Sequence, residues 1–571
     1  MNLNLGKAEG WAVAHRYLVL FVVGVLLYVA FLGLRDVWYP DEPDIAEVAL
    51  AMFNSGDWVS PRRMGEVWVD YPPMIYWVAV VSSHVFGVMN AFTVRLPNAL
   101  IAIGIVLMTC AVGSRWFDRR TGFWAGFALL IALQFMWQGN SYRPDVTFTL
   151  GIAAAFFLYA EGEGQSFWWK VAAFACLGFA MLSKGILGLL LPGLVLVLWH
   201  GSRRQWKQLL LLAPLSLVSL AVFVPWAVGT AQAMGWDDLL YEFYAQNIGR
   251  FLSGDRGHDQ PIWYYFRSFW IDLWPWAILF PVAVVWMVRA GMLRRPKVQL
   301  LLWWFGTFFV FLTLASTKRQ LYLLPAYPAA VLILGAWLAR VGTSQPSERN
   351  EQPVPSERAV RIATIGIAAA IGAGGIASIA FSVFLDAIVA GRDLQPQQLA
   401  VGEALRVPLI VLGVVMLAAA AWMGQAAVRA QTRTALMRTG LAHVVVWALF
   451  LGVVAPAFEP AKTYGPQSRW IKAHIGPEET SIGMVSPYQG PYKRGGFSFE
   501  MGGTMVDLLY SREEVDDFFA EHPDSLVIID EDWMDGIFPP DDDARDARTL
   551  NRLLVSDTTY FVMRGPEQQQ P

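Results

Sequence analysis

The sequence predicts a mainly α, polytopic membrane protein with a small α/β domain at its C-terminal end. Three observations predict it. Of 571 residues, 56% are hydrophobic and 16% charged, whereas soluble globular chains carry roughly 25% charged residues. Apolar runs near spanning length recur through residues 1–458. Across residues 459–571, short β-rich runs alternate with a polar helical stretch, as in a layered α/β unit.

The membrane part begins with Lys7, His15 and Arg16 ahead of an apolar run that no small-residue cleavage site follows, as in a retained first helix. Further runs lie near residues 94–113, 122–138, 146–160, 168–182, 186–200, 209–229, 272–289, 298–315, 320–339, 361–385, 407–424 and 439–458. With 17–34 they predict about thirteen spans. The shorter run 74–88 follows Pro72 and Pro73 and reads as a re-entrant or juxtamembrane helix. Alternate loops carry Arg115, Arg119 and Arg120; Lys170; Arg203, Arg204 and Lys207; Arg294, Arg295 and Lys297; and Arg429, Arg433 and Arg438. That bias puts these loops and the N-terminus in the cytoplasm and the C-terminal domain outside. Residues 341–360, polar and Pro-rich, read as a cytoplasmic linker. In the outer domain SIGMVS, SLVIID and TYFVMRG read as buried strands, and SREEVDDFFAEH as a helix capped by its Ser. The two cysteines, Cys110 and Cys176, lie in apolar runs, and no basic tail or patch points to nucleic acid.

The first outer loop, residues 35–90, is too polar for lipid and too rich in Trp and Tyr for an ordinary solvent loop. Its head is the acidic pair Asp41 and Glu42. Ile45, Val48, Ala49, Met52 and Phe53 then fall at helical spacing, as in a short interfacial helix. An anchoring loop whose aromatics sit at headgroup depth is the alternative.

The other outer connections add Arg143 and Asp145 at the lip of a helix, Lys184 in an almost loop-free turn, and Lys318, Arg319 and Tyr322 before the run at 320. Lys184, Lys318 and Arg319 stand on the side that the charge bias disfavours, at interface depth, where ionisable groups need partners. Cations converging with carboxylates at one membrane face suit a reaction on an anionic lipid headgroup. The cations neutralise phosphate while a carboxylate accepts a proton. A snorkelling Lys184 and a helix-capping Asp145 are the structural alternatives.

In the order YPDEPDIAEVALAMFNSGDWVSPR, VDYPPMIYW, SYRPDVTFTL, MLSKGILGLLLPG, GHDQPIWYYF with PWAILFP, and STKRQLYLLPAYP, the chain resembles a known family. It is similar to the GT-C integral-membrane glycosyltransferases, in the branch of the lipid A aminoarabinose transferase and the bacterial relatives of dolichyl-phosphate-mannose protein mannosyltransferases (ArnT/PMT-like). The resemblance covers most of residues 35–340. It implies that Asp41 is the catalytic carboxylate, with Glu42 beside it, and that Asp145 is the second acidic position. It implies that Lys318, Arg319 and Tyr322, joined by Lys184, meet the phosphate of a polyprenyl-phosphate donor. Some members hold a divalent metal ion, and Asp70 and His258 would be the corresponding ligands. Aminoarabinose transferases usually carry Arg three residues after the catalytic Asp and Lys just before the Pro pair. Asp44 and Tyr71 stand there, which points away from the aminoarabinose enzyme itself.

The expected function is transfer of a sugar, hexosyl or pentosyl, from a polyprenyl-phosphate-linked donor to an envelope acceptor. That acceptor is a lipid A-like glycolipid, a glycan or a protein, at the periplasmic face of a bacterial inner membrane. Single displacement with inversion is the expected course. A transporter or flippase of lipid-linked sugars is the alternative, but it would place charges near the midplane of broken helices in repeated halves. A structural envelope protein with a partner-binding outer domain is a further one.

Overall fold

The computed structural model describes residues 5–249, 259–342, 356–390, 396–477, 479–486, 490–555 and 558–566. His258 and residues 343–355 of the expected linker lie outside them.

Each of the thirteen apolar runs is a helix or a bent helix pair among the described residues. Eight are long and apolar enough to cross a membrane, and ten if each bent pair forms one span. The pairs are Arg119–Ile131 with Leu133–Gly139, bent by 69°, and Tyr264–Asp272 with Ala277–Arg289, bent by 115°. At the second break Pro275, which has no amide hydrogen to donate, cannot continue the helix. Asp145–Glu161, Trp168–Lys184 and Leu187–Ser202 have only 17, 17 and 16 residues. At ~1.5 Å per residue they fall short of a hydrocarbon core of about 30 Å. They stand at the short end of the roughly 17–25 residues that spanning helices use. The run at 74 is the short helix Met74–Phe86.

The bundle closes around Gln320–Leu338, which is almost wholly buried. A Cβ at Gly335 would stand 2.8 Å from the Ala125 backbone nitrogen, so glycine lets this helix press against Arg119–Ile131.

The first loop folds as the helix Glu42–Ser55, a hairpin of β1 (Arg62–Arg63) and β2 (Glu66–Val67), and Met74–Phe86. Pro43 stands in the first turn with Glu42 and Asp44, where acids suit the helix dipole, and Gly56 at φ 71° ends the helix. Ile45, Val48, Ala49 and Met52 are buried as their spacing predicts; Phe53 is half-buried against the His84 ring. Ala46 and Glu47 are buried too. The helix does not lie free at an interface, because Gly490–Glu500 of the outer domain covers its other side. A Cβ at Gly495 would meet Asp44 Oδ1 at 2.6 Å.

The C-terminal region carries a five-stranded sheet ordered β4-β3-β5-β7-β6. These are β3 (Ser481–Val485), β4 (Met505–Leu508), β5 (Leu526–Asp530), β6 (Thr549–Val555) and β7 (Thr558–Arg564). The first three are parallel, and β7 runs antiparallel to β5 and β6. β3 and β5 are buried at every position, as strands covered on both faces must be. Ser511 caps Arg512–Glu521 by accepting from the Glu514 amide.

Candidate functional site

The acidic pair divides at once. Glu42 turns inward and is buried. Its Oε1 accepts from Arg95 Nε at 3.0 Å and the Tyr142 amide at 2.8 Å; its Oε2 accepts from the Trp38 amide at 2.9 Å and faces Arg35 at 3.3 Å. Arg95 also donates to the Arg35 carbonyl, and Arg35 to the Asn140 carbonyl. Burial alone would raise the Glu42 carboxyl, but the Arg95 and Arg35 guanidinia outweigh it and hold it at about 2. With every lone pair engaged, Glu42 ties the first loop to the Ala91–Trp116 helix and to residues 140–142. These bonds make it a brace beside Asp41; the second acidic position that the resemblance implies is Asp145.

Asp41 points the other way, with its side chain 30% exposed. Arg319 grips it with both terminal nitrogens, Nη1 on Oδ1 at 3.1 Å and Nη2 on Oδ2 at 2.7 Å. Arg143 closes on the same Oδ2 through Nη1. Burial works against ionisation, yet Arg143 and Arg319 prevail and hold the Asp41 carboxyl well below the usual range. Arg143 Nε stands 3.7 Å from Asp145 Oδ2, and Asp145 Oδ1 accepts from Lys184 Nζ at 2.5 Å. The Lys184 ammonium lies 4.8 Å from the centre of the Tyr322 ring. Charges thus alternate along one line: Arg319, Asp41, Arg143, Asp145, Lys184.

The two ends of that line open into different cavities. Asp41, Arg143 and Arg319 line a polar cleft of about 490 Å³ with Trp38, Tyr39, Trp137, Gln138 and Lys462. Lys184 and Tyr322 line an apolar pocket with Asp70, Tyr71, Phe148 and Phe311. Phe311 also lines an apolar groove between Leu187–Ser202 and Pro296–Leu314, with Leu194, Leu198, Leu302 and Trp303.

Lys318 stands apart from the other expected phosphate ligands. It is buried, and its Nζ donates to the carbonyl oxygens of Gln260, at 2.8 Å, and Ala315. It joins two outer loops where Asp259 bridges Thr317. Asp44, where the resemblance expects Arg, pairs with Arg63 at 2.7 Å.

Sequence reasoning placed Arg143 at the helix lip without a role, and it left out Arg35, Arg95, Glu459 and Lys462. Glu459 accepts from the Asp36 amide and from Trp38 Nε1, both at 2.7 Å, and the Lys462 carbonyl accepts from the Tyr39 amide at 3.1 Å. The start of the outer region is thereby stitched to the residues just ahead of Asp41. Only Arg143 carried a signal, standing two residues before Asp145.

For a metal ion, Asp70 is the described half of the expected pair. Its Oδ1 accepts from Gln246 Nε2 at 2.9 Å. Among the described residues no three His, Cys, Asp or Glu side chains converge as a metal site.

A helical membrane bundle that gathers its charge at one rim, under a first loop braced by an α/β domain, has the architecture of the GT-C glycosyltransferases. By fold the chain is similar to GT-C proteins of ArnT/PMT-like type. ArnT from Cupriavidus metallidurans bound to undecaprenyl phosphate superposes with a TM-score of 0.73 at 22% identity, over 97% of this chain and 100% of that one. The family model for dolichyl-phosphate-mannose-protein mannosyltransferase matches residues 70–228. A Pseudomonas fluorescens undecaprenyl phosphate-alpha-4-amino-4-deoxy-L-arabinose arabinosyl transferase is 31% identical over 332 residues, 56% of this chain and 59% of the relative. One of the same name from Pectobacterium atrosepticum is 28% identical over 511 residues, 87% of this chain and 85% of the relative. The chain spans about three fifths of the length of the first curated relatives it matches. Its apolar helices and these relatives make it a multi-pass inner-membrane protein.

Proposed function

We propose that the protein is a glycosyltransferase that moves a sugar from a polyprenyl-phosphate donor to an envelope glycolipid, glycan or protein. The reaction takes place at the periplasmic face, with the N-terminus in the cytoplasm and residues 459–571 forming the periplasmic domain. One observation carries this: Asp41, clasped by Arg319 and Arg143, lines a polar cleft at one end of a line of alternating charges whose other end, Lys184, lines an apolar pocket.

The polyprenyl chain lies along the groove between Leu187–Ser202 and Pro296–Leu314, and its phosphate meets Lys184 and Tyr322 at the groove's end. The acceptor enters the polar cleft. Its oxygen attacks the anomeric carbon from the face opposite the phosphate, and the bond from that carbon to the phosphate oxygen breaks with inversion. The departing phosphate takes the electron pair and is stabilised by Lys184 and Arg319. A hydroxyl acceptor passes its proton to Asp41; a phosphate acceptor needs no base, and Asp41 then orients the two guanidinia. Asp145 holds Lys184 in place. Asp44 and Tyr71, where aminoarabinose transferases keep cations, leave the proposal at the level of the class.

Mass spectrometry of envelope lipids and glycoproteins from cells with and without the gene tests the proposal. A sugar-bearing species that vanishes with the gene, and returns with wild type but not with Asp41→Asn, is the expected result. Identical profiles would overturn it.

A further inference from the structure

Three polar atoms in the charge line lack a hydrogen-bond partner although they are buried: Arg143 Nε, Arg143 Nη1 and Asp145 Oδ2. Nη1 is held to Asp41 as an ion pair, while Nε and Asp145 Oδ2 face each other at 3.7 Å, just beyond bonding distance. Asp145 is 1% exposed and has its short contact on the far side, to Lys184. Arg143 has its short contact on the opposite side, to Asp41. Each group is thus held away from a partner it nearly touches.

We propose, building on the donor assignment above, that Arg143 is a positioning residue that transmits the arrival of a lipid phosphate at Lys184 to Asp41. A phosphate carries more charge than a carboxylate and competes with Asp145 for the Lys184 ammonium, which lines the apolar pocket. Asp145 cannot stay buried and unpaired, so it closes on Arg143 Nε. Arg143 leaves Asp41 Oδ2, and Asp41 keeps only the two-point grip of Arg319. With one guanidinium instead of two, Asp41 binds a proton more readily. The base is therefore masked until donor is present, and donor binds before acceptor is activated. No bond is made or broken in this step; only ion pairs exchange.

The full-length protein in phosphatidylcholine nanodiscs, with undecaprenyl phosphate as probe, provides the test. A diazo reagent that esterifies protonated carboxyls reports on Asp41 by peptide mass spectrometry at fixed pH. Arg35, Arg143, Arg319, Lys318 and Lys462 line the cleft with Asp41, and Glu42 and Asp44 stand in the first turn of the helix that follows it, so pH is held constant throughout. Saturating lipid phosphate should speed Asp41 labelling about tenfold, the equivalent of one pKa unit. In Asp145→Asn the lipid should still bind, measured by native mass spectrometry, while labelling stays at the lipid-free rate. Arg143→Lys, whose single nitrogen cannot hold both carboxylates in turn, should behave likewise if Asp145→Asn fails to fold. Bound lipid with unchanged labelling in wild type would overturn the relay alone, as would equal acceleration in the variants. Failure of the lipid phosphate to bind would overturn the donor assignment and the relay with it.

Discussion

Arg319 spans both oxygens of Asp41, residues 278 positions apart in sequence. A lysine at 319 keeps the charge but reaches one oxygen at a time, so the carboxylate loses its fixed orientation. Arg319→Lys should lower sugar transfer in proteoliposomes by about 10²-fold. The thermal midpoint should stay within a few degrees, because Arg143 still neutralises Asp41. Wild-type turnover in this variant would remove the bidentate grip from the mechanism.

Asp41 and Glu42 are neighbours with opposite duties, and one pair of variants separates them. Asp41→Asn should cost about 10²- to 10⁴-fold in transfer to a hydroxyl acceptor and leave the fold intact. Glu42→Gln leaves the buried Arg35 and Arg95 without a counter-charge. Breaking a buried pair in this way destabilises by about 3–5 kcal/mol. Glu42→Gln should therefore appear first as a lower thermal midpoint and poor recovery in detergent. A stable but inactive Glu42→Gln would restore Glu42 to the reacting groups.

Much of the fold is written in hydropathy, and less of the site. Apolar runs report where helices lie because burial in lipid or protein demands them. They do not report helix length, which is 16 residues in Leu187–Ser202 and 29 in Trp206–Met234. In the outer domain β3, β5 and β7 announce themselves as unbroken apolar runs. The edge strands β4 and β6 do not, one having four residues and the other polar alternation through Thr549, Asn551 and Arg552. In the site, local pattern finds charge but not its direction. Consecutive residues on a helix point about 100° apart, so Asp41 and Glu42 share a motif and not a face. Lys318 looks like a phosphate ligand until the fold surrounds its ammonium with carbonyls. Arg143 looks like an interfacial charge until residues 41, 143 and 319 meet.

The stitch between the outer region and the first loop makes a prediction at a distance from Asp41. Glu459→Ala frees the Asp36 amide and the Trp38 indole, two donors that fix the chain leading into Asp41. Displacement of a reacting group by about 1 Å can cost 10²-fold. We expect transfer to fall at least tenfold, with faster proteolysis between residues 455 and 465 and no loss of lipid-phosphate binding. Unchanged transfer with the cut site exposed would separate the stitch from catalysis.

Glu47 sets the pH dependence of the joint between the first loop and the outer domain. Its Oε1 accepts from the Met64 amide at 3.2 Å, while Oε2 is buried without a hydrogen-bond partner. Burial pushes this carboxyl up to about 7 from 4.5, against the pull of the Met64 amide, Arg63 and Arg494. The folded state therefore holds a proton that the unfolded chain releases at lower pH. For an acid with a raised folded pKa, stability is greatest below the unfolded value, falls as pH rises between the two, and is flat above the folded one. The thermal midpoint of the full chain should thus decline from about pH 4.5 to 7. Burial likewise pushes Asp44 up to about 8 from 3.8, against Arg63 and with help from Glu47, which steepens the decline and carries it on to about pH 8. Glu47→Gln keeps the shape and cannot ionise, so its midpoint should fall less across that window and exceed wild type at pH 8. A wild-type midpoint that rises with pH, or a Glu47→Gln curve parallel to wild type, would show that this carboxyl is ionised in the fold.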